Sequence, residues 1–85
     1  MLILSREVGE SVAIEGAVLT LVRIDEGYVE VSLVKMAGGT PKILTLPHGQ
    51  RVDICYGAEV VFVGATGEGV RFGFEYPPSV SITRR

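Results

Sequence analysis

The chain carries the same short sequence pattern twice. Residues 9–14, Gly-Glu-Ser-Val-Ala-Ile, correspond to residues 49–54, Gly-Gln-Arg-Val-Asp-Ile, at a constant offset of 40 residues. The same offset relates Ile-Leu-Ser at residues 3–5 to Ile-Leu-Thr at residues 43–45. A repeat array ordinarily needs three or more units to bury a continuous core. Two copies therefore indicate a duplicated half, a pseudo-dimer within one polypeptide, and the functional surface is expected where the halves meet.

Length limits how these halves can fold. The chain has 85 residues, of which 47% are apolar, so we expect one small domain over 1–85 with a substantial core. Its internal repeats span 1–40 and 41–85. A unit of about 40 residues rarely folds alone without a disulfide or a metal. The two repeats are therefore expected to share one core.

Composition narrows the class of function. The net charge of −2 and the pI of about 5.3 argue against a protein that coats nucleic acid by bulk electrostatics, but they leave room for a small basic site. Cys55 is the only cysteine, which excludes an intrachain disulfide and suits a reducing compartment. The sequence has neither a run of about 18 apolar residues nor a signal-peptide pattern. A cytoplasmic location without membrane contact is therefore expected.

The hydrophobic pattern has the period of two that is typical of strands. Val29, Val31 and Leu33 alternate with more polar neighbours after a predicted hairpin turn at 25–28. No segment of ten or more residues keeps a helical period between caps. We therefore predict an all-β fold of two packed antiparallel sheets, with little or no helix. The predicted strands lie near 2–7, 10–15, 17–25, 28–35, 42–46, 50–55, 58–65, 69–75 and 79–84.

The two copies differ in complementary places. Arg6 on the opening strand of the first copy is replaced by Leu46 in the second. The second copy ends in an additional strand with Arg84, whereas the first copy runs through a breaker-rich joint at 37–41 directly into the second. The first copy is thus predicted to have four strands and the second five. Arg6 and Arg84 are the strand-borne arginines that are unique to each half.

Three segments carry a resemblance to a known family. They are Met-Leu-Ile-Leu-Ser-Arg-Glu-Val-Gly-Glu-Ser at residues 1–11, Gly-Glu-Gly-Val-Arg-Phe-Gly-Phe at 67–74 and Tyr-Pro-Pro-Ser-Val-Ser-Ile-Thr-Arg-Arg at 76–85. They are similar to the opening, the hairpin with the fourth strand, and the closing segment of the carbon storage regulator (CsrA/RsmA) family of bacterial RNA-binding proteins. With the repeat, the resemblance covers the whole chain, as a tandem-duplicated single-chain form of the family.

The resemblance implies a fold, a function and a site. It implies two intertwined repeats, in which the first and fifth strands of each unit flank the central strands of the other. It also implies a post-transcriptional or translational regulator that recognises GGA-containing loops in messenger or small RNA. Each RNA site of the family combines the first strand of one unit with the fifth strand of its partner. The site residues carried over to this chain are Leu4, Ser5, Arg6, Tyr76, Pro78, Val80, Ile82, Thr83 and Arg84.

The chain departs from the family's pattern, and these departures predict one RNA site instead of two. The second site would need an arginine in place of Leu46 and a fifth strand in the first copy. Thr83 stands where the family usually has histidine, and the family's C-terminal helix has no counterpart in the sequence.

The chemistry of the predicted site suits single-stranded RNA. A guanidinium presents a planar set of donors that fits phosphate oxygens and the O6 and N7 atoms of guanine. Open strand edges carry backbone N–H and C=O groups that can bind the bases of a splayed loop. No catalytic arrangement of carboxylates or nucleophiles stands out, and His48 lacks the nearby cysteine or second histidine that a metal site needs. We expect neither an enzyme nor a cofactor or metal.

Three alternatives are to be distinguished. The chain could be a relative that has lost RNA binding and acts as a protein-interaction module or antagonist. It could form a homodimer of two intertwined chains with two restored sites, instead of a monomeric pseudo-dimer. It could also be a single family unit with a long insertion. The insertion does not predict that residues 42–46 pair as an edge strand equivalent to residues 2–6, whereas the repeat does.

Overall fold

A computed structural model contains nine strands in two antiparallel sheets and describes residues 1–36 and 38–85. These residues form no helix, and so none that is long and apolar enough to cross a membrane. The prediction of an all-β fold of two antiparallel sheets is confirmed. The strands are β1 (Leu2–Glu7), β2 (Ser11–Ile14), β3 (Ala17–Asp25), β4 (Tyr28–Lys35), β5 (Lys42–Pro47), β6 (Arg51–Asp53), β7 (Glu59–Thr66), β8 (Gly69–Glu75) and β9 (Ile82–Arg84).

The two halves of the chain exchange their first strands. The four-stranded sheet has the order β1-β8-β7-β6, and the five-stranded sheet has the order β5-β4-β3-β2-β9. β1 from the first half pairs with β8 from the second, and β5 from the second half pairs with β4 from the first. β9 crosses over in the same way and pairs with β2. Each sheet therefore contains strands from both halves, and neither half completes a sheet alone.

The two exchanged strand pairs have corresponding registers. Ser5 lies opposite Arg71 in one sheet, and Thr45 lies opposite Glu30 in the other. Residues 42–47 thus form an edge strand that corresponds to β1 at the other end of the molecule. This pairing is the one that the repeat predicts and that an insertion into a single unit does not predict.

The offset between the halves changes once. It is 40 residues through the second strand of each half and 41 thereafter, because the turn after β6 is one residue longer than the turn after β2. Ala58 accordingly corresponds to Ala17, and both are 1% exposed. The bulges in the following hairpins, which begin at Leu21 and Phe62, also correspond at the new offset. The sequence repeat and the structural correspondence therefore agree along the chain.

The core lies between the sheets and draws on both halves. In β8, Phe72 and Phe74 are 1% and 0% exposed, whereas Arg71 between them is exposed, as the period of two predicts. Phe62 is 5% exposed, so all three phenylalanines of the chain belong to the core. The other core residues come from β1 to β5, from β7 and β8 or their ends, and from the segment before β9; they include Val12, Ile14, Leu19, Leu21, Val29, Val31, Leu46, Val60 and Val70.

Three predicted strands are longer than the observed ones. The strands predicted over 10–15 and 50–55 are cut short by turns that contain a left-handed residue, Glu15 with φ of 47° or Tyr56 with φ of 54°. The strand predicted over 79–84 begins only at Ile82, because the N–H of Val80 donates to the carbonyl of Pro77 in a turn, 3.0 Å away. The predicted joint at 37–41 falls partly on Ala37, which lies outside the described residues.

Candidate functional site

Two open strand edges converge at one end of the molecule. β1 ends the four-stranded sheet and β9 ends the five-stranded sheet, so each has an edge that pairs with no other strand among the described residues. The Arg6 Nη1 group donates to the carbonyls of Arg85 and Ser11, both at 3.4 Å. The N–H of Arg85 donates to the same Ser11 carbonyl at 3.2 Å. The structure thus places the Arg6 side chain against the C-terminal end of β9.

Arg6 and Arg84 occupy equivalent positions on their strands. Arg6 falls in the alternation of Leu2 and Leu4, which pack against the core, and Arg84 lies opposite the buried Val12. The side chains of both arginines therefore leave the backbone on the core-facing side of an edge strand. Because each sits near the end of its strand, Arg6 is half-buried and Arg84 is exposed.

Much of the hydrogen-bonding capacity at this edge is free. The Arg6 Nε group donates to its neighbour's carbonyl, that of Ser5, at 2.6 Å. The Nη2 group, with two further N–H donors, donates to no group of the described residues. Within that part of the chain, neither Arg6, Arg84 nor Arg85 has a side-chain carboxylate within 4.0 Å. These cations are therefore available to an anionic or acceptor-rich ligand.

Arg71 is a further cation of this site that the sequence did not single out. It lies on β8 directly opposite Ser5, on the outer face of the four-stranded sheet, and is exposed. None of the described carboxylates lies within 4.0 Å of it. Alternation along the strand places Arg71 on the polar face. Its position beside Ser5 follows only from the pairing of the first strand of one half with the fourth strand of the other.

The corresponding place in the other half has no such cluster. Leu46, the counterpart of Arg6, is 0% exposed, and Glu30 is the counterpart of Arg71. Arg23 is shared by two carboxylates, since it hydrogen-bonds to Asp25 and lies 3.5 Å from Glu30. The Arg23 hydrogen bond, with others from the backbone and from a tyrosine hydroxyl, lowers the pKa of Asp25 to about 2. Arg23 is thus already neutralised, so of these two corresponding places only the β1/β9 edge has arginines without a paired side-chain carboxylate among the described residues.

Carboxylates border Arg6 on its other side. A shallow pocket of about 110 Å³ next to Arg6 is lined by Glu7, Glu10 and Glu68, together with Ser5, Thr66 and Gly69. The Glu10 carboxylate accepts the Glu7 N–H at 2.7 Å, which holds it at this rim. A phosphate would be repelled there, because like charges in close proximity destabilise each other. The site therefore presents donors and anionic acceptors side by side.

The remaining residues of the expected site are spread along the edge. Leu4 and Val80 are each 7% exposed, so they can offer a ligand only their backbone groups. Tyr76 is exposed at the start of β1, where it lines an open depression with Leu2. Since six strand residues span roughly 17 Å, Tyr76 lies at the opposite end of the edge from Arg6. In the same expected set, Ile82 is half-buried, whereas Thr83 and Pro78 are exposed.

His48 and Cys55 have structural surroundings. The His48 Nε2–H donates to the carbonyl of Val63 at 2.7 Å, and the ring meets Phe62 edge-on with centroids 5.3 Å apart. Cys55 is half-buried against the core, and this burial raises the pKa of its thiol. Among the described residues there is no group of three or more side chains that could hold a metal ion.

Comparisons with known proteins do not assign a family. No family model matches the chain, and searches of curated proteins and of solved structures found no significant match. A functional proposal therefore depends on the residues, on their geometry and on the resemblance in the sequence.

Proposed function

We propose that the chain is an RNA-binding post-transcriptional regulator that binds one GGA-containing loop at the β1/β9 edge. The observation that carries this proposal is the contact of the Arg6 guanidinium with the Arg85 carbonyl. It joins an arginine from each half at two open strand edges. The resemblance of residues 1–11 and 76–85 to the carbon storage regulator family supports the same assignment.

The mixture of charges at the edge favours a guanine base over a bare phosphate. Guanine offers the acceptors O6 and N7 to an arginine and an amino donor at N2. The free Nη2 donors of Arg6 suit the acceptors, and the carboxylates of Glu7, Glu10 and Glu68 suit the amino group. Unstacked bases of a loop can also bind the open backbone edges of β1 and β9. We therefore expect recognition of bases to contribute more than bulk attraction to the RNA backbone.

Titration with RNA hairpins tests this function. We expect one hairpin with a GGA loop to bind per chain, and a hairpin with a scrambled loop to bind at least tenfold more weakly. Gel-shift titration gives the affinities, and light scattering gives the mass of the complex. Two hairpins per chain would contradict the one-site proposal, and equal affinity for both loops would contradict recognition of GGA. A free protein with the mass of two chains would exclude the monomeric pseudo-dimer.

Arg71 tests whether the RNA backbone crosses the outer face of the four-stranded sheet. An arginine that binds a phosphate contributes affinity for every sequence and adds about one unit to the salt dependence of binding. We expect Arg71→Ala to weaken GGA and scrambled loops alike, roughly three- to tenfold, and to reduce that salt slope by about one. Fluorescence anisotropy over a range of salt concentrations measures both effects. An unchanged slope would show that the RNA takes another path.

A second candidate is a protein-interaction module or antagonist without RNA binding. The observations that favour it are the net charge of −2 and the three carboxylates beside Arg6. Under this alternative, neither hairpin would bind, and a protein partner would bind with little dependence on salt.

A further inference from the structure

The outer edge of β6 is open where the corresponding edge of β2 is covered. β6 ends the four-stranded sheet, whereas β2 is followed by β9 in the five-stranded sheet. On β2, Val12 and Ile14 are 1% and 0% exposed. Their counterparts Val52 and Ile54 are only half-buried. Both halves thus have a valine and an isoleucine at these positions. Only Val12 and Ile14 are covered by an additional strand, β9.

Backbone groups of the β6 edge are positioned to accept another strand. The N–H of Ile54 points inward and donates to the carbonyl of Ala58 at 3.0 Å. Backbone groups alternate in an antiparallel ladder, so the N–H groups of Asp53 and Cys55 face outward. At the covered edge, the counterpart of the Cys55 group is the N–H of Glu15, which donates to the carbonyl of Ser81 at 2.9 Å. The open edge therefore repeats the hydrogen-bonding positions that hold the segment leading into β9.

A cavity with two lysines adjoins this edge. It has a volume of about 270 Å³ and is lined by Ile54, Leu33, Lys35 and Lys42, together with Gly38, Gly39 and Thr40. In the described part of the chain, neither lysine has a carboxylate within 4.0 Å. The cavity therefore suits an apolar side chain of a ligand that also carries negative charge.

We propose that the β6 edge binds an extended acidic segment of a partner protein by strand addition. Main-chain hydrogen bonds to Asp53 and Cys55 supply affinity, and alternate apolar side chains of the segment cover Val52 and Ile54. A carboxylate of the segment lies beside Lys35 and Lys42. The contact resembles in length that of β9 with β2, where three residue pairs form. The half-buried apolar side chains of Val52 and Ile54 favour a peptide over RNA, and the site lies at the opposite edge of the sheet from β1.

Two synthetic peptides test the proposal. One carries two glutamates followed by residues 80–83 of this chain, and the other carries two arginines followed by the same residues, because the register of β9 on β2 places the residues before position 80 beyond Ile54, on the side of the lysine cavity. NMR-detected amide exchange on the whole protein reports which N–H groups become protected. We expect the acidic peptide to slow exchange at Asp53 and Cys55 at least tenfold and to bind at least fivefold more tightly than the arginine peptide. Lys42→Glu is expected to remove that preference.

A matched pair of variants tests the hydrogen bonds. Asp53→Pro removes an outward N–H, which an edge strand tolerates, whereas Asp53→Asn keeps the N–H and removes the same charge. Only the proline variant is expected to lose peptide binding. The proposal is overturned if neither peptide protects residues 53 and 55, if protection appears at β1 and β9 instead, or if a GGA-loop hairpin protects the β6 edge equally well. Protection that rises with protein concentration alone would identify a second copy of the chain as the occupant.

Discussion

Replacing Arg84 by alanine is expected to weaken binding of a GGA-containing hairpin by roughly ten- to a hundredfold. A bidentate contact of arginine with guanine contributes about 1–3 kcal/mol of discrimination, and about 1.4 kcal/mol corresponds to a factor of ten in Kd. Arg84 is exposed, and no carboxylate within the described residues competes for its guanidinium. Its loss should therefore act on the RNA and leave the folded protein intact. Gel-shift titration measures the change in Kd.

Arg51→Ala is the matched control for this experiment. It removes the same charge, but Arg51 lies on β6 at the other edge of the four-stranded sheet, 3.7 Å from Glu59. We expect Arg51→Ala to change RNA affinity less than threefold. An equal loss in both variants would mean that the RNA responds to net charge alone. No loss in Arg84→Ala would contradict the proposed site directly.

Arg6 is expected to affect RNA binding in two ways. Arg6→Ala removes the free Nη2 donors, and it also removes the contact that holds the carbonyl of Arg85 at the end of β9. The losses from Arg6→Ala and Arg84→Ala should therefore not add in the double variant, with a coupling of about 0.5–3 kcal/mol. Additive losses would show that the two arginines act independently, which their proximity does not predict.

Much of the fold is visible in the sequence, because the signals are local. Alternation of Val29, Val31 and Leu33 and the glycine-containing turns place the strands in the right order and number. Strand ends are less predictable, since Glu15 and Tyr56 adopt left-handed turn conformations that glutamate and tyrosine rarely adopt. The resemblance to a family implied the exchange of first strands between the halves. Periodicity alone could not, because it carries no information about which strands pair.

The candidate site is only partly visible for the same reason. Arg6 and Arg84 stand out because each is missing from the other half of the sequence. Arg71 and Glu68 do not stand out, since their proximity to Ser5 and Arg6 depends on the register between β1 and β8. Likewise, counting four strands against five reveals that one strand is absent, but the topology is needed to show that β6 is the edge left open.

Gly69→Ala is expected to destabilise the protein by about 2–3 kcal/mol, because the added Cβ atom clashes with the backbone of the paired strand. A Cβ atom at Gly69 would lie 2.5 Å from the backbone oxygen of Arg6 and 3.1 Å from its carbonyl carbon. Backbone cannot rotate away as a side chain can, so β1 would have to move from β8. For a domain of this size, the loss corresponds to a fall in Tm of roughly 10–20 °C. Thermal unfolding followed by circular dichroism measures it.

Gly73→Ala on the same strand provides the comparison that isolates this mechanism. A Cβ atom there would meet mainly the side chain of Met1, which is flexible, and approach Val61 Cγ1 to 3.0 Å. We expect a cost of about 1 kcal/mol, which is clearly below that of Gly69→Ala. Only Gly69→Ala should also weaken RNA binding at temperatures where it is folded, because the strand that it displaces carries Arg6 at the point of contact. Equal stability of the two variants would refute the backbone clash. Unchanged RNA affinity in a destabilised Gly69→Ala would show that the position of Arg6 on β1 does not determine binding.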